Sequence, residues 1–250
     1  MEHQLDSILP SLIDEWEKSQ DASFPERQKL CDFVLILLKR FKVKKVLDLA
    51  TGSGSLSKMI ITAIPDCNVI GVDFEPIMLE MAAKNLLLYK HRFLTKQRNL
   101  LIPKWADGLP DDFDTIVSAL ALHHLPDLRR KIIYKDLFFL MKSPGVFLCI
   151  DEVKSNIQQF DNAISQNLEQ ARVQLVRQTN AKDWISFWNW VGDQLGIDDY
   201  ALRILEKTYP KGTDTKGTLS DQLRYLDEAG FTEIECFYRN HAMVVYGGIK

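Results

Sequence analysis

The chain is poor in cysteine, and its cysteines form no pattern. Cys31, Cys67, Cys149 and Cys236 are the only four in 250 residues, widely spaced and without a Cys-x-x-Cys pair. That argues against a zinc site or a disulfide scaffold and suits a reducing, cytoplasmic setting. Cys67 and Cys149 stand beside strand-like runs and read as small core hydrophobes. Long apolar runs are also missing. The longest, Phe33 to Leu38, is far too short to span a bilayer. Met1 to Asp6 has neither the basic flank nor the apolar stretch of a signal peptide. No membrane partner is therefore expected. The formal net charge of -3 gives no general attraction to nucleic acid or anionic surfaces. Internal repeats and low-complexity linkers are absent. What is present is the composition of a globular protein with a sizeable core, 46% hydrophobic and 26% charged.

The chain is organised around Val46-Leu47-Asp48-Leu49-Ala50-Thr51-Gly52-Ser53-Gly54-Ser55. An apolar run ends in a loop with two glycines, and Leu56, Met59, Ile60 and Ile64 follow at helical spacing. Strand, tight turn and helix in that order open a nucleotide-binding α/β unit. Gly52 and Gly54 allow a sharp turn and a close ligand approach, and the helix start behind them favours an anionic group. A second apolar run, Asn68 to Val72, ends in Asp73, about 20 residues past the loop, where a carboxylate holds ribose hydroxyls in dinucleotide folds. The full dinucleotide fingerprint has a third small residue, and Ser57 stands at that position, which weakens an NAD reading.

Three motifs resemble those of class I S-adenosylmethionine-dependent methyltransferases. Asp48-x-Ala50-x-Gly52-x-Gly54 is similar to their glycine-rich motif, and Gly71 to Ala82 to their second motif. Phe113 to Pro126, which contains His123-His124-Leu125-Pro126, is similar to their fourth-strand motif. The resemblance covers residues 40 to 152 well and the last 30 more loosely. It implies a Rossmann-like seven-stranded α/β sheet with an antiparallel last strand and helices on both faces. It also implies S-adenosylmethionine as cofactor and S-adenosylhomocysteine as product. By resemblance, Asp48 orients the amino end of the cofactor, and Ala50, Gly52 and Gly54 shape the loop under its methionine part. Asp73 accepts from the ribose hydroxyls, with Phe74 and Met78 as an apolar bed. Asn99, where the family usually has an acid, and Leu100 frame the adenine. Ser118 and Ala119 pass under the sulfonium end.

Along the chain, residues 3 to 20 read as a helix whose first part Pro10 weakens, and Pro25 fits the first turn of a second helix capped near Ser23 and running to about Phe41. These form an N-terminal helical cap, 1–41. The cluster Lys39 to Lys45 closes a helix, where cations suit the dipole, and has no exposed aromatics beside it to stack bases. The core, 42–152, continues with a helix from Glu75 to Leu88, strands at Arg92 to Gln97 and Phe113 to Ser118, a helix from Leu128 to Met141 capped by Asp127, and a strand at Gly145 to Asp151. Residues 153–217 change character and read as a helical insertion after the fifth strand. Trp184, Phe187, Trp188 and Trp190 exceed what one packing stripe requires, so the insertion is read either as a lid or substrate wall, with Trp184 and Trp188 as acceptor contacts, or as plain packing. Residues 218–250 give a helix, Leu219 to Ala229, and a strand hairpin.

Methyl transfer of this kind needs alignment, exclusion of water and sometimes a base. His124 and Glu152 are the candidate bases, with His123 and Asp151 beside them, and each has a structural reading as well. No metal is called for. The leading function is methyl transfer to an oxygen, nitrogen or carbon nucleophile of a small molecule. A tRNA-modification enzyme and a non-catalytic cofactor-binding subunit are the alternatives; the charge balance counts against extended nucleic-acid contact.

Overall fold

The computed structural model describes residues 2–208 and 216–250. Met1, in the expected cap, and residues 209–215, in the expected insertion, lie outside the described residues. Seven strands form one sheet: β1 (Lys45–Leu49), β2 (Asn68–Asp73), β3 (Phe93–Gln97), β4 (Phe113–Ala119), β5 (Met141–Glu152), β6 (Thr232–Asn240) and β7 (Met243–Ile249). Their order is β3-β2-β1-β4-β5-β7-β6. The first five are parallel, and β7 runs antiparallel between β5 and β6. The order reverses between β1 and β4, so the loops leaving these two strands diverge and open a crevice at their carboxyl ends.

The sheet is buried on both faces because its strands carry apolar side chains on both. Leu47, Leu49, Ile116, Phe147 and Tyr246 face one side and pack under α5 (Asp127–Leu140) and α9 (Leu219–Ala229). Val46, Val69, Val117 and Ile150 face the other and pack under α2 (Arg27–Leu38) and α3 (Ser55–Ala63). A third cluster lies above the carboxyl edge. There α1 (Glu2–Ser23) and α4 (Pro76–Asn85) meet α7 (Trp184–Leu195) and α8 (Tyr200–Thr208) through Leu12, Met78, Phe187, Trp188 and Ile204. Cys67 and Cys149 are fully buried.

Several element limits differ from expectation. Pro10 lies inside α1. A proline inside a helix costs about 3 kcal/mol or more, and the flanking Leu9 and Leu12, both buried in the third cluster, hold the helix through it. Pro25 falls in the turn between helices; α2 starts at Arg27 after Glu26 and ends at Leu38. Asp127 is the first residue of α5, with Pro126 at the cap position; its carboxylate serves Arg130 and Tyr225 instead. The second core helix ends at Asn85, and a single 3-10 turn follows at Leu87–Tyr89. No separate helix was expected at α8, and α6 (Gln158–Thr179) precedes α7 between β5 and α9.

Candidate active site

The loop after β1 is held by its own polar residues. Asp48, buried at the end of β1, accepts from the hydroxyls of Thr51 (2.7 Å) and Ser57 (2.6 Å). Ser57, which departs from the dinucleotide fingerprint, is thereby the residue that ties α3 to β1. Gly52 donates its N–H to Asp73 Oδ2 (3.0 Å), which joins the loop to the end of β2. The other oxygen of Asp73 accepts the N–H of Glu75 (3.0 Å). Burial pushes both Asp48 and Asp73 up to about 6, against the opposing pull of these hydrogen bonds.

The two glycines do different work. Gly52 (φ +54) faces open space; a Cβ there would meet only Trp16 Nε1, at 3.9 Å. Gly54 (φ +78) faces α4, and a Cβ would stand 2.6 Å from Leu86 Cδ1. Gly54 thus sets the packing of α3 on α4. Strain marks the same crevice: Ala50 (φ 54) and Leu120 (φ 56), just past β1 and β4, both take left-handed backbone conformations disfavoured for residues with a Cβ.

Above these loops lies a cavity of about 650 Å³, a size typical of sites for small ligands and cofactors. One end is lined by Asp48, Ala50, Gly52, Asp73, Phe74 and Met78, the other by Ala119, Leu120, His123, His124 and Glu152. Trp184 and Trp188 line its roof together with Trp16 of α1. Gly54, Asn99, Leu100 and Ser118 do not line it. The Asn99 side-chain Oδ1 accepts the N–H of Leu101 (2.9 Å), and the Ser118 hydroxyl donates to Leu49 O (3.1 Å).

The first helices close over the glycine loop. Glu17 accepts from the Ser53 hydroxyl and from Arg27 Nη2 (2.6 Å). Burial acts to raise its pKa, yet Arg27 and the serine hydroxyls hold it below the usual carboxylate range. Sequence reasoning missed Glu17 and Arg27, because their pairing exists only once α1 folds back onto α2.

The other end is built on β4 and β5. His123 Nδ1 lies 2.5 Å from Asp151 Oδ1, and both residues are buried. His124 packs against His123 with ring centroids 3.9 Å apart and the ring planes tilted by 58°. Burial first, then the neighbouring His123 and Lys216, push His124 well below 6.5, so its ring is neutral. Glu152 is engaged on both oxygens, by Arg172 Nη2 (2.9 Å) and Lys216 Nζ (2.8 Å). Burial acts to raise Glu152, but these two cations hold it below its ordinary value. Arg172 also donates through Nε to Ser23 O (2.6 Å), so one guanidinium joins α6, the end of α1 and the end of β5. Nothing in the spacing of Arg172 and Lys216 announces this arrangement.

A family model described as "Methyltransferase domain" matches residues 41–208, more than half of the chain, and the chain belongs to that family. It is 29% identical over 122 residues to the release factor glutamine methyltransferase of Buchnera aphidicola subsp. Baizongia pistaciae, covering 48% of this chain and 43% of that protein. It is 27% identical over 134 residues to the demethylmenaquinone methyltransferase of Thermotoga maritima, covering 52% and 53%. The chain thus spans about half the length of these curated relatives. Among solved structures, PigF with SAH shares the fold at a TM-score of 0.55 and 14% identity, covering 99% of this chain and 70% of that one.

Proposed function

We propose that this chain transfers a methyl group from S-adenosylmethionine to an oxygen, nitrogen or carbon nucleophile of a small molecule. The observation that carries the reading is a single cavity with two chemically different ends. At one end stand a glycine loop and a buried carboxylate on the next strand; at the other stands a histidine held by an aspartate. The polar groups at the first end fit the cofactor. Asp73 offers carboxylate lone pairs beside those its backbone donors use, Gly52 leaves its side of the loop open, and Phe74 and Met78 supply apolar surface.

When bound, the cofactor supplies a methyl group already activated on a sulfonium. The chain has three remaining tasks. The loop staple by Asp48, Thr51 and Ser57 fixes the floor, so alignment costs little reorganisation. The roof of Trp16, Trp184 and Trp188 excludes water from the cavity. At the far end, Asp151 accepts a hydrogen bond from Nδ1–H of His123, which leaves Nε2 as the nitrogen that can accept a proton from the acceptor. His123 therefore replaces His124 as the base, since the Asp151 carboxylate fixes its ring, while burial, His123 and Lys216 lower the basicity of His124. Glu152 is an ion-pair anchor in this reading, its basicity reduced by Arg172 and Lys216.

The release factor glutamine methyltransferase likeness favours a second reading, with a protein side chain as acceptor. The test is methyl-labelled S-adenosylmethionine offered with a panel of aromatic alcohols, amines and quinones, and separately with a release factor. Label on a small molecule supports the proposal. Label on the protein alone supports the second reading.

A further inference from the structure

At the end of the cavity above β1 and β2, two buried polar atoms have no hydrogen-bond partner among the described residues. One is Oε2 of Glu75, the other Nε1 of Trp188. Glu75 is 3% exposed and Trp188 2% exposed, and both line the cavity. Native proteins rarely leave such groups unpaired, because a buried donor or acceptor without a partner costs roughly 1–3 kcal/mol. An acceptor and a donor left open in the same cavity ask for a ligand group that does both.

Their position identifies which end of the cavity they serve. Glu75 follows Asp73 by two residues and donates its own N–H to that carboxylate. Trp188 lies 5.9 Å from Trp16, ring to ring, and Trp16 is the side chain that stands over Gly52. Both therefore sit above β1 and β2. His123 and Asp151 sit beyond β4, and three strand spacings separate β2 from β5, about 14 Å.

Glu75 is not free to turn away. Its Oε1 accepts from the Tyr200 hydroxyl of α8 (2.7 Å), which fixes the carboxylate. Lys207 Nζ stands 3.6 Å from Oε2, outside hydrogen-bond range, and its side chain is 55% exposed. Lys207 offsets some charge without filling the acceptor. The two oxygens of Asp73, meanwhile, are already partnered by the backbone N–H groups of Gly52 and Glu75.

We propose that Glu75 is a second carboxylate for the ribose of the adenosyl cofactor. It accepts a hydrogen bond from one ribose hydroxyl while Trp188 Nε1–H donates to a ribose oxygen, and Tyr200 is the positioning residue that holds Glu75 in place. A vicinal diol is the ligand chemistry that satisfies both open atoms, because each hydroxyl donates and accepts. The inference rests on the cofactor reading above. It goes beyond that reading by making the insertion part of the cofactor site: α7 supplies a donor and α8 holds the acceptor.

The test is calorimetric titration of the whole chain with S-adenosylhomocysteine and with its 2′-deoxy and 3′-deoxy analogues. The variants are Glu75→Gln, Trp188→Phe and Tyr200→Phe, each with a thermal melt without ligand. Glu75→Gln is expected to lose about tenfold to a hundredfold in affinity for the full ligand, as for a hydrogen bond to a charged group. The loss should shrink to within about threefold for the analogue lacking the contacted hydroxyl. Trp188→Phe and Tyr200→Phe lose less, about threefold to tenfold. The ligand-free melting temperature of Glu75→Gln should hold, since the amide oxygen keeps the Tyr200 hydrogen bond and the exposed Lys207 loses only a weak ion pair. The inference is overturned if the parent chain binds while Glu75→Gln keeps its affinity. It is also overturned if the variant loses the same factor for all three ligands and melts lower, which marks a structural residue. If the parent chain itself binds no S-adenosylhomocysteine, the cofactor reading falls first and this inference with it.

Discussion

His123 Nδ1, in the turn after β4, stands 2.5 Å from Asp151 Oδ1 at the end of β5. A neighbouring pair of strands thus presents one histidine with its tautomer set and its ring fixed, while the next residue, the half-buried His124, is held well below its ordinary pKa by desolvation and by His123.

From this pair follows the first prediction. His123→Ala should lower kcat by about 10²–10⁴ for an acceptor that must lose a proton, while S-adenosylhomocysteine affinity changes less than about twofold. Asp151→Asn should lower kcat by a smaller factor, and His124→Asn by less still. Equal losses at His123 and His124 would remove the distinction drawn between them. The measurement is steady-state kinetics beside ligand titration.

A second prediction concerns pH. Asp48 and Asp73 are both pushed up to about 6 by burial. A carboxyl whose folded pKa exceeds its unfolded value stabilises the fold when protonated. The contribution of these two is therefore largest below about pH 4 and is lost as pH rises through 6. Ligand binding runs the other way, because ribose and amino donors need the ionised carboxylates. Affinity for S-adenosylhomocysteine should fall below about pH 6, and Asp73→Asn should bind weakly with a flatter profile. Calorimetry between pH 5 and 8, run with about 1-unit spacing, checks both.

The glycines give a third. Gly54→Ala places a Cβ 2.6 Å from Leu86 Cδ1 at a left-handed φ, and should cost about 1–3 kcal/mol, lowering the melting temperature by about 5 °C. Gly52→Ala should melt closer to the parent and lose ligand affinity instead. Differential scanning of the two variants separates packing from binding.

Fourth, Glu152→Gln should free α6. No residue of this 22-residue helix is buried, and Arg172 joins it to Glu152 and to Ser23. Hydrogen exchange along α6 should accelerate, and acceptor KM should rise with little change in cofactor affinity. Because Lys216 and Arg172 hold the Glu152 pKa low, its stabilising contribution is present at neutral pH and lost as pH falls through the acid range. Unchanged exchange in α6 would mean that α1 alone holds the helix.

Much of the sheet was legible because each parallel strand is a short apolar run bounded by turn residues, and β2 from Asn68 to Asp73 and α9 from Leu219 to Ala229 match the structure to the residue. The glycine loop was legible for the same local reason. The partners of the site residues were not. Glu75 meets Tyr200 across 125 positions, and Glu152 meets Lys216 across 64; such pairs depend on where the insertion lands, and no periodicity encodes that. Asn99 shows the limit from the other side. Its place in the sequence suggested an adenine contact, while its side-chain Oδ1 is used by a turn to Leu101. Pro10 and Pro25 misled for a physical reason as well: burial of Leu9 and Leu12 carries α1 through the first, and the turn between helices takes the second.

The most direct test of the account is one titration, S-adenosylhomocysteine into the parent chain and into Asp73→Ala, each confirmed as folded by its melt. The account predicts a single site of about micromolar affinity in the parent, at roughly -8 kcal/mol, and a loss of at least about thirtyfold in the variant. Equal affinity in the two proteins, or no binding to the parent at millimolar ligand, would contradict it.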